Sequence, residues 1–575
     1  MNLGTWVVCL LVVCPVTVAT AAAEIMLEQV GTHHAGVFAR SAAEIPAFCA
    51  DARRLFVVNA ESGRVDVLDV DDTGRLQSGG VLDAARDAPG AMRDVNSVSV
   101  SRGLLAAAIA AEPVTDPGAV AFYDTRTLQL RGVVSAGALP DMVTFSPDGR
   151  WVLVANEGEP NDDCTVDPEG TITVIDLEAG VEHPVVRTVT FRDWNAGGPR
   201  AEEVPTLMDR GLRHFGRVML PGEAGGSRPA TFAEDVEPEW IEIDPESRFA
   251  YVCLQEANAI AEIDIAAATV TRIVPLGFKD HGLPGNGFDA SDRDGGIRIR
   301  PWPGVYGVFQ PDTIRLVVRD GRRLIVTANE GDSRVRPSAD GMIPGVKEGG
   351  IFTDEASLNA WPLEGSSFAD VATPQDLGRL RLVRDLVERH LDEEGRPTRL
   401  FAFGGRSFSI FDFDTGELVY DSGSDFERVT AERYPEHFNA SSDALEFDKR
   451  SRSKGPEPEG LAVGEVEGRT YAFVGLERIG GIMVYDITAP AASRFVGYFS
   501  NRRFDLPMTL GDGTSNPAAG DSGPEGLIFV AAGQSPTGRP LVIAANETSG
   551  TTTLWEIRPA TAAVETGPAG AAGRP

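Results

Sequence analysis

Gly455–Thr488 reads GPEPEGLAVGEVEGRTYAFVGLERIGGIMVYDIT. A proline and an acid open it, followed by alternating apolar residues (Leu461, Val463) and a polar turn. A second apolar run, Tyr471–Leu476, is closed by Glu477; a glycine-rich turn leads to a third, Ile482–Ile487, which contains Asp486. Short apolar runs of period two between glycine and charged turns are the pattern of half-buried strands. The stretch therefore predicts a small antiparallel meander.

The same pieces return in the same order along the chain. Ile45–Val70, Asp94–Asp124, Leu139–Leu177 and Glu237–Ile265 each carry a copy. Another starts at Gln310 and resumes at Leu400 after a long interruption, and the last closes at Ile557. With Gly455–Thr488 these are seven units, and radial repetition leaves few exposed sheet edges. The expectation is an all-β protein, a seven-bladed β-propeller with two long inter-strand insertions; two stacked sandwiches are the rival. Residues 24–559 read as a single propeller domain, with the insertions at about 191–233 and 333–398. In the second, Leu377–Val383 reads as an outer strand and Asp385–Leu391 as a short helix.

Both ends read differently. Trp6–Val18 is apolar and small residues follow at Ala19–Ala23, so residues 1–23 are expected to be a signal peptide. Residues 560–575 are rich in Ala, Gly and Pro and are expected to be a disordered tail. No later stretch approaches the ~20 apolar residues of a membrane span. The sequence thus predicts a secreted or periplasmic protein after signal cleavage, with no integral membrane segment. Acids outnumber Lys and Arg 85 to 52, a formal charge of −33, which disfavours nucleic acid and favours cations or basic partners. Beyond the leader, Cys49, Cys164 and Cys253 form no disulfide framework, and free or buried thiols are expected.

The chemistry lies in the repeated acids. A proline-acid pair precedes the first strand of five units, giving Asp141, Glu239, Asp312, Glu459 and Glu525, with Asn96 and Ala47 at the matching places of the other two. An antiparallel second strand returns to the same end. There the sequence writes Glu157, Gln255-Glu256, Glu330, Glu477 and Glu547. Two sets of carboxylates are expected at one mouth of the tunnel, where they must take up protons or be compensated by a cation. Hard oxygen ligands suit Ca²⁺ or Mg²⁺; acids that serve only as turn-formers are the structural alternative. A second acidic loop, Asp289, Asp292 and Asp294 before Gly295-Gly296, could wrap Ca²⁺, or be a solvated turn. Arg406 is a candidate to clamp an anion such as phosphate, or to neutralise an acid. Gly520–Pro524 (GDSGP) imitates a serine-protease loop but lacks a matching His and Asp pattern, and there is no Walker A, G-x-S-x-G or H-E-x-x-H motif.

VLVANEGEPND (Val152–Asp162), DASDRDGGI (Asp289–Ile297), FGGRSFSIFD (Phe403–Asp412), KGPEPEGLAVGE (Lys454–Glu465) and AANETSGTTTLWEI (Ala544–Ile557) together resemble the choice-of-anchor I family. That family is related to mesenchyme-specific cell-surface glycoproteins associated with biomineralisation. The resemblance implies an exported or surface-displayed propeller; some members are fused to phosphoesterase domains or carry an alkaline-phosphatase label. It supplies no catalytic residue. LVERHLDEEGRPTR, before FGGRSFSIFD, departs from the acidic loop that relatives often have there.

Three functions stay open on these grounds. The first is an acidic propeller that binds divalent cations and presents a ligand- or surface-interacting face without defined catalysis. The second is a metal-dependent phosphoesterase acting on phosphorylated small molecules, with Pro-Glu-Gly at Glu459 and Glu525 resembling the mouth of propeller phytases. The third is a protein-interaction scaffold. Calcium is the expected ion, and no organic cofactor is expected.

Overall fold

The computed structural model describes residues 25–220, 226–337 and 350–560. The expected signal peptide and nearly all of the expected tail lie outside these residues. Seven four-stranded antiparallel sheets are present, one per sequence unit, and the fold is an all-β propeller of seven blades. Blade 6, the opening stretch, is Pro458–Val466, Arg469–Leu476, Ile482–Asp486 and Arg494–Phe499 in spatial order. Alternate side chains of each strand pack against the neighbouring blade. Ala106, Ala108, Val152 and Val154, all fully buried, join blades 2 and 3 in this way.

Blade 7 is completed from the other end of the chain. Ile25–His34 pairs antiparallel with Thr551–Pro559 and forms the outer strand beside Leu541–Asn546 and Pro524–Val530. This closes the ring by hydrogen bonds between the ends of the domain. The sequence reading left Ile25–His34 unassigned.

Blade 5 is split as expected. Ile314–Arg319 and Arg322–Asn329 pair with Ser407–Asp412 and Glu417–Asp421, and the intervening chain leaves the propeller between the second and third strands. That excursion builds a satellite sheet rather than an extra blade edge. Phe278–Asp280, Val305–Val308, Leu400–Phe403, Leu382–Val383 and Glu355–Ala356 lie side by side over a core that includes Phe288, Trp302, Leu380, Leu386 and Phe401. The outer strand expected over Leu377–Val383 is therefore two residues of this satellite sheet, and the expected helix runs Arg384–Glu388. Leu400–Phe403, where the fifth unit was expected to resume, pairs in parallel with Val305–Val308 in this sheet instead. Tertiary burial decided these short apolar runs, which period cannot assign. The other excursion holds the helix Val204–Asp209 and a hairpin of Arg217–Leu220 with Gly226–Pro229.

Candidate functional site

Four of the five proline-acid pairs are backbone devices. In blade 6, Pro458 pairs with Leu476 but the next partners are Leu461 and Val474, so Glu459 and Gly460 occupy a β-bulge. The same irregularity holds Asp141 after Pro140, Glu239 after Pro238 and Glu525 after Pro524. A bulge re-aims a side chain out of the alternating pattern, and here it presents each carboxylate at the tunnel mouth. The glycine of Pro-Glu-Gly has its own reason. A Cβ on Gly460 would lie 2.2 Å from the Glu525 carbonyl oxygen, and one on Gly526 would lie 2.4 Å from that of Glu44. Adjacent inner strands approach too closely there for any side chain, so this part of the motif is explained by blade packing.

The Asn-Glu pairs divide their work. Asn156, fully buried, accepts from the Gly137 amide and donates to Thr171 and Thr173; Asn329 likewise donates to Ser407 and Ser409. The asparagines fasten the second strand to the third, and the following glutamates are left facing the mouth.

A cavity of about 370 Å³ lies there, lined among others by Glu44, Asp94, Asp141, Glu157, Glu239, Asp312 and Glu525. Carboxylate oxygens come within 4.8 Å of one another in three groups around it: Glu44, Glu525 and Glu547; Glu157, Glu239 and Glu256; and Asp312, Glu330 and Glu459. Among the described residues no donor engages the side chains of Asp141, Glu157, Glu239, Glu459 or Glu525, and Glu256 Oε2 and Glu477 Oε2 are buried without a partner. Burial and the neighbouring acids drive their pKa values upward: Glu44 to about 8, Asp141 and Glu256 to about 7, and Glu157, Glu239, Asp312, Glu459, Glu477 and Glu525 well above the usual range.

Basic groups cover only one side of this ring. Lys454 contacts Glu330 at 2.5 Å and Glu457 at 3.1 Å, and Arg478 pairs with Glu457 and Glu477. Glu330 also accepts from Gln255. Arg334 is held by Asp235 and Glu237 in blade 4's approach. The triads Glu44/Glu525/Glu547 and Glu157/Glu239/Glu256 have no basic side chain in ion-pair contact among the described residues. Their spacing suits one hard cation each, since opposite ligands of an ion with 2.3–2.6 Å bonds lie about 5 Å apart.

The expected second loop splits. Asp289 and Asp294 come together with Asp448, which the sequence reading missed, whereas Asp292 turns away to Arg379 and Arg452. Burial lifts Asp289 to about 7 and Asp448 to about 8. Arg406 does not clamp an exogenous anion. It is 2% exposed, ion-paired with Glu427 at 2.6 Å, stacked 4.3 Å over Phe288, and donates to the carbonyls of Asp289, Ser451 and Ser453. Its second expected role, neutralising an acid, describes it, but the acid is Glu427 and lies outside the ring. His281 is buried against Phe288. Ser522 of the protease-like loop is fully buried and donates to the Ser442 carbonyl. Cys49, Cys164 and Cys253 are buried, and no disulfide joins them.

Glu44, Glu457, Lys454, Arg478 and Asp448 are the ring and loop residues that sequence reasoning missed. Lys454 and Arg478 stand in or beside the opening stretch, and Glu44 precedes Pro46 by two where the other units place the acid after the proline.

Two curated relatives share this chain's sequence. A mesenchyme-specific cell surface glycoprotein of Strongylocentrotus purpuratus is 30% identical over 54% of this chain and 41% of its own length. Gigasin-3a of Magallana gigas is 33% identical over 29% of this chain and 60% of its own. The matches thus span about half the length of these relatives. Solved structures with similar shape include a chain of hydrazine synthase from Kuenenia stuttgartiensis (TM-score 0.41, 15% identity, 90% of this chain and 96% of that one). A chain of the mitotic checkpoint complex is another (TM-score 0.41, 8% identity, 97% and 98%). The family model for the choice-of-anchor I domain matches residues 44–490, the span that holds five complete blades, the inner three strands of blade 6 and most of the acidic ring. The chain belongs to the choice-of-anchor I family.

Proposed function

We propose that this protein is an exported, non-enzymatic propeller that binds divalent cations, calcium in the first place, at its acidic mouth and through them presents a face to surface components. The observation that supports it is the pair of carboxylate triads Glu44/Glu525/Glu547 and Glu157/Glu239/Glu256, with oxygens within 4.8 Å and no basic group in contact. Three carboxylates gathered in a half-buried cavity with no basic partner among the described residues are costly as bare anions; a divalent ion removes the repulsion and leaves room for water and carbonyl ligands. The apolar leader and the likeness to a cell surface glycoprotein support a place outside the cytoplasm. Arg406, the expected phosphate partner of a phosphoesterase, is engaged with Glu427 and three backbone carbonyls, which favours the non-catalytic reading. Metal analysis of the purified mature protein tests the reading. Bound calcium, or its uptake on titration after chelator treatment, is expected; no calcium before or after titration overturns it.

A further inference from the structure

The satellite sheet carries a pocket of opposite character. A cavity of about 560 Å³ opens where the Asp289–Gly296 loop, the insertion and the segment before blade 6 meet. Arg293, Arg379 and Arg452 line it, with Ser357, Asn359 and Gln375. No aspartate or glutamate is among its lining residues, in a chain whose formal charge is −33. Asp292, behind the wall, is shared by all three arginines: Arg379 binds it through Nε at 2.8 Å and Nη2 at 3.2 Å, Arg452 stands at 3.3 Å and Arg293 at 3.9 Å. Three guanidinium groups against one carboxylate leave a local excess of positive charge.

The donors are not used up. Arg452 Nε faces Asp292 Oδ2 at 3.3 Å, so the donors left to the pocket are the outer nitrogens of the Arg452 guanidinium, the exposed Arg293 side chain, and the exposed amides of Asn359 and Gln375. The walls are fixed by contacts outside the pocket: Ser291 donates to the Pro374 carbonyl at 2.7 Å, and the Arg381 amide donates to the Arg452 carbonyl at 2.9 Å. Burial and the neighbouring Arg381, Arg379 and Arg450 lower the Arg452 pKa, opposed by Asp292.

We propose that this pocket binds a tetrahedral oxyanion, a phosphate or sulfate group, carried as the monoester of a small polar molecule. Planar guanidinium forks match such groups with paired, charge-assisted hydrogen bonds. The cavity is several times the size of the bare anion, so the ester's polar portion has space beside Asn359 and Gln375. The site is separate from the acidic mouth, and its anion selectivity follows from the absence of lining carboxylates, which would repel the ligand and bind cations instead.

The test is calorimetric titration of the full mature chain, in chelator so that ions at the mouth cannot bridge the ligand, with inorganic phosphate, inorganic sulfate, glucose 6-phosphate and N-acetylglucosamine 6-sulfate. Saturable binding of at least one ester, tighter than its inorganic anion, is expected. Arg293→Ala, an exposed residue whose loss spares the fold, and Arg379→Ala should each weaken it by roughly tenfold or more, as loss of a charge-assisted pair implies. Arg503→Ala, far from the pocket, should leave it unchanged. No saturable binding by the unaltered chain overturns the proposal, as does binding that Arg293→Ala leaves intact. Inorganic anion bound as tightly as either ester removes the ester assignment. If Arg379→Ala fails to fold, Arg293→Ala and Asn359→Ala decide the matter. Because the titration is run without divalent ions, its failure leaves the calcium reading standing, and the reverse.

Discussion

The ammonium group of Lys454 stands 2.5 Å from Glu330 and 3.1 Å from Glu457, so one side of the acidic ring carries a cation supplied by the chain itself. The ring poses the same problem at Glu44/Glu525/Glu547 and Glu157/Glu239/Glu256, where no basic side chain is in ion-pair contact among the described residues and an ion could take the place of the lysine. Replacing it shows what the bare ring costs. Lys454→Met should destabilise the protein in chelator by about 3 kcal/mol, the cost of stranding buried partners, and should enlarge the stabilisation by Ca²⁺. Thermal melts of both chains with and without the ion measure this; equal calcium shifts would show that Lys454 does not stand in an ion's place.

Acid dependence follows from the raised carboxyl groups. Glu44, ordinarily near 4.5, lies at about 8, and Asp141, ordinarily near 3.8, at about 7. A folded pKa above the unfolded one means that the native state holds the proton more tightly, so stability falls as pH rises from the unfolded value through the folded one. In chelator, stability should therefore decline between about pH 5 and 8. Glu457 and Asp235, held low by Lys454, Arg450 and Arg334, work the other way and cost stability below about pH 4. Calcium should flatten the neutral-side decline, because it binds the deprotonated ring. Urea midpoints across this range, with and without Ca²⁺, report it; a decline that calcium leaves untouched would assign the shifts to groups away from the ring.

Arg406 should prove structural. Arg406→Ala leaves Glu427 and three carbonyls without their donor in a buried site, and a loss of about 3–5 kcal/mol is expected. Calcium uptake by the folded fraction should be unchanged. Reduced uptake with unaltered stability would place Arg406 at the ion site instead.

Ring closure rests on Ile25–His34. Deleting that strand exposes the edge of Thr551–Pro559 along nine paired positions, and aggregation or loss of cooperative melting is expected. A truncated chain that melts as the intact one does would show that blade 7 needs only three strands.

The seven-blade architecture was legible because one complete unit, Gly455–Thr488, sets the period and the others repeat its order. The placement of Asp141, Glu239, Asp312, Glu459 and Glu525 beside the second-strand glutamates was legible too, since antiparallel pairing returns a strand to its starting end. What pairing could not reveal was contact between segments far apart in sequence. Glu44 meets Glu525 and Glu547 only because the ring closes, and Asp448 reaches Asp289 from over 150 residues away. Asp292 looked like one more ligand by spacing, yet Arg379 and Arg452, from two other segments, claim it. Arg406 was read from its flanking glycines and acids, and its partner Glu427 lies on a helix, Asp425–Arg433, that the strand pattern did not announce.

The central claim is that the mouth of this propeller is a divalent-cation site, and the thermal midpoint in millimolar Ca²⁺ against chelator tests it most directly, with Glu239→Gln/Glu525→Gln as the comparison. The unaltered chain should gain about 2.7 kcal/mol when Ca²⁺ is in about 100-fold excess over its dissociation constant. The double variant should melt higher than the unaltered chain in chelator, because two repelling charges are gone, and should lose most of the calcium gain. An unaltered midpoint with and without Ca²⁺, or a shift that the double variant keeps in full, would contradict the account.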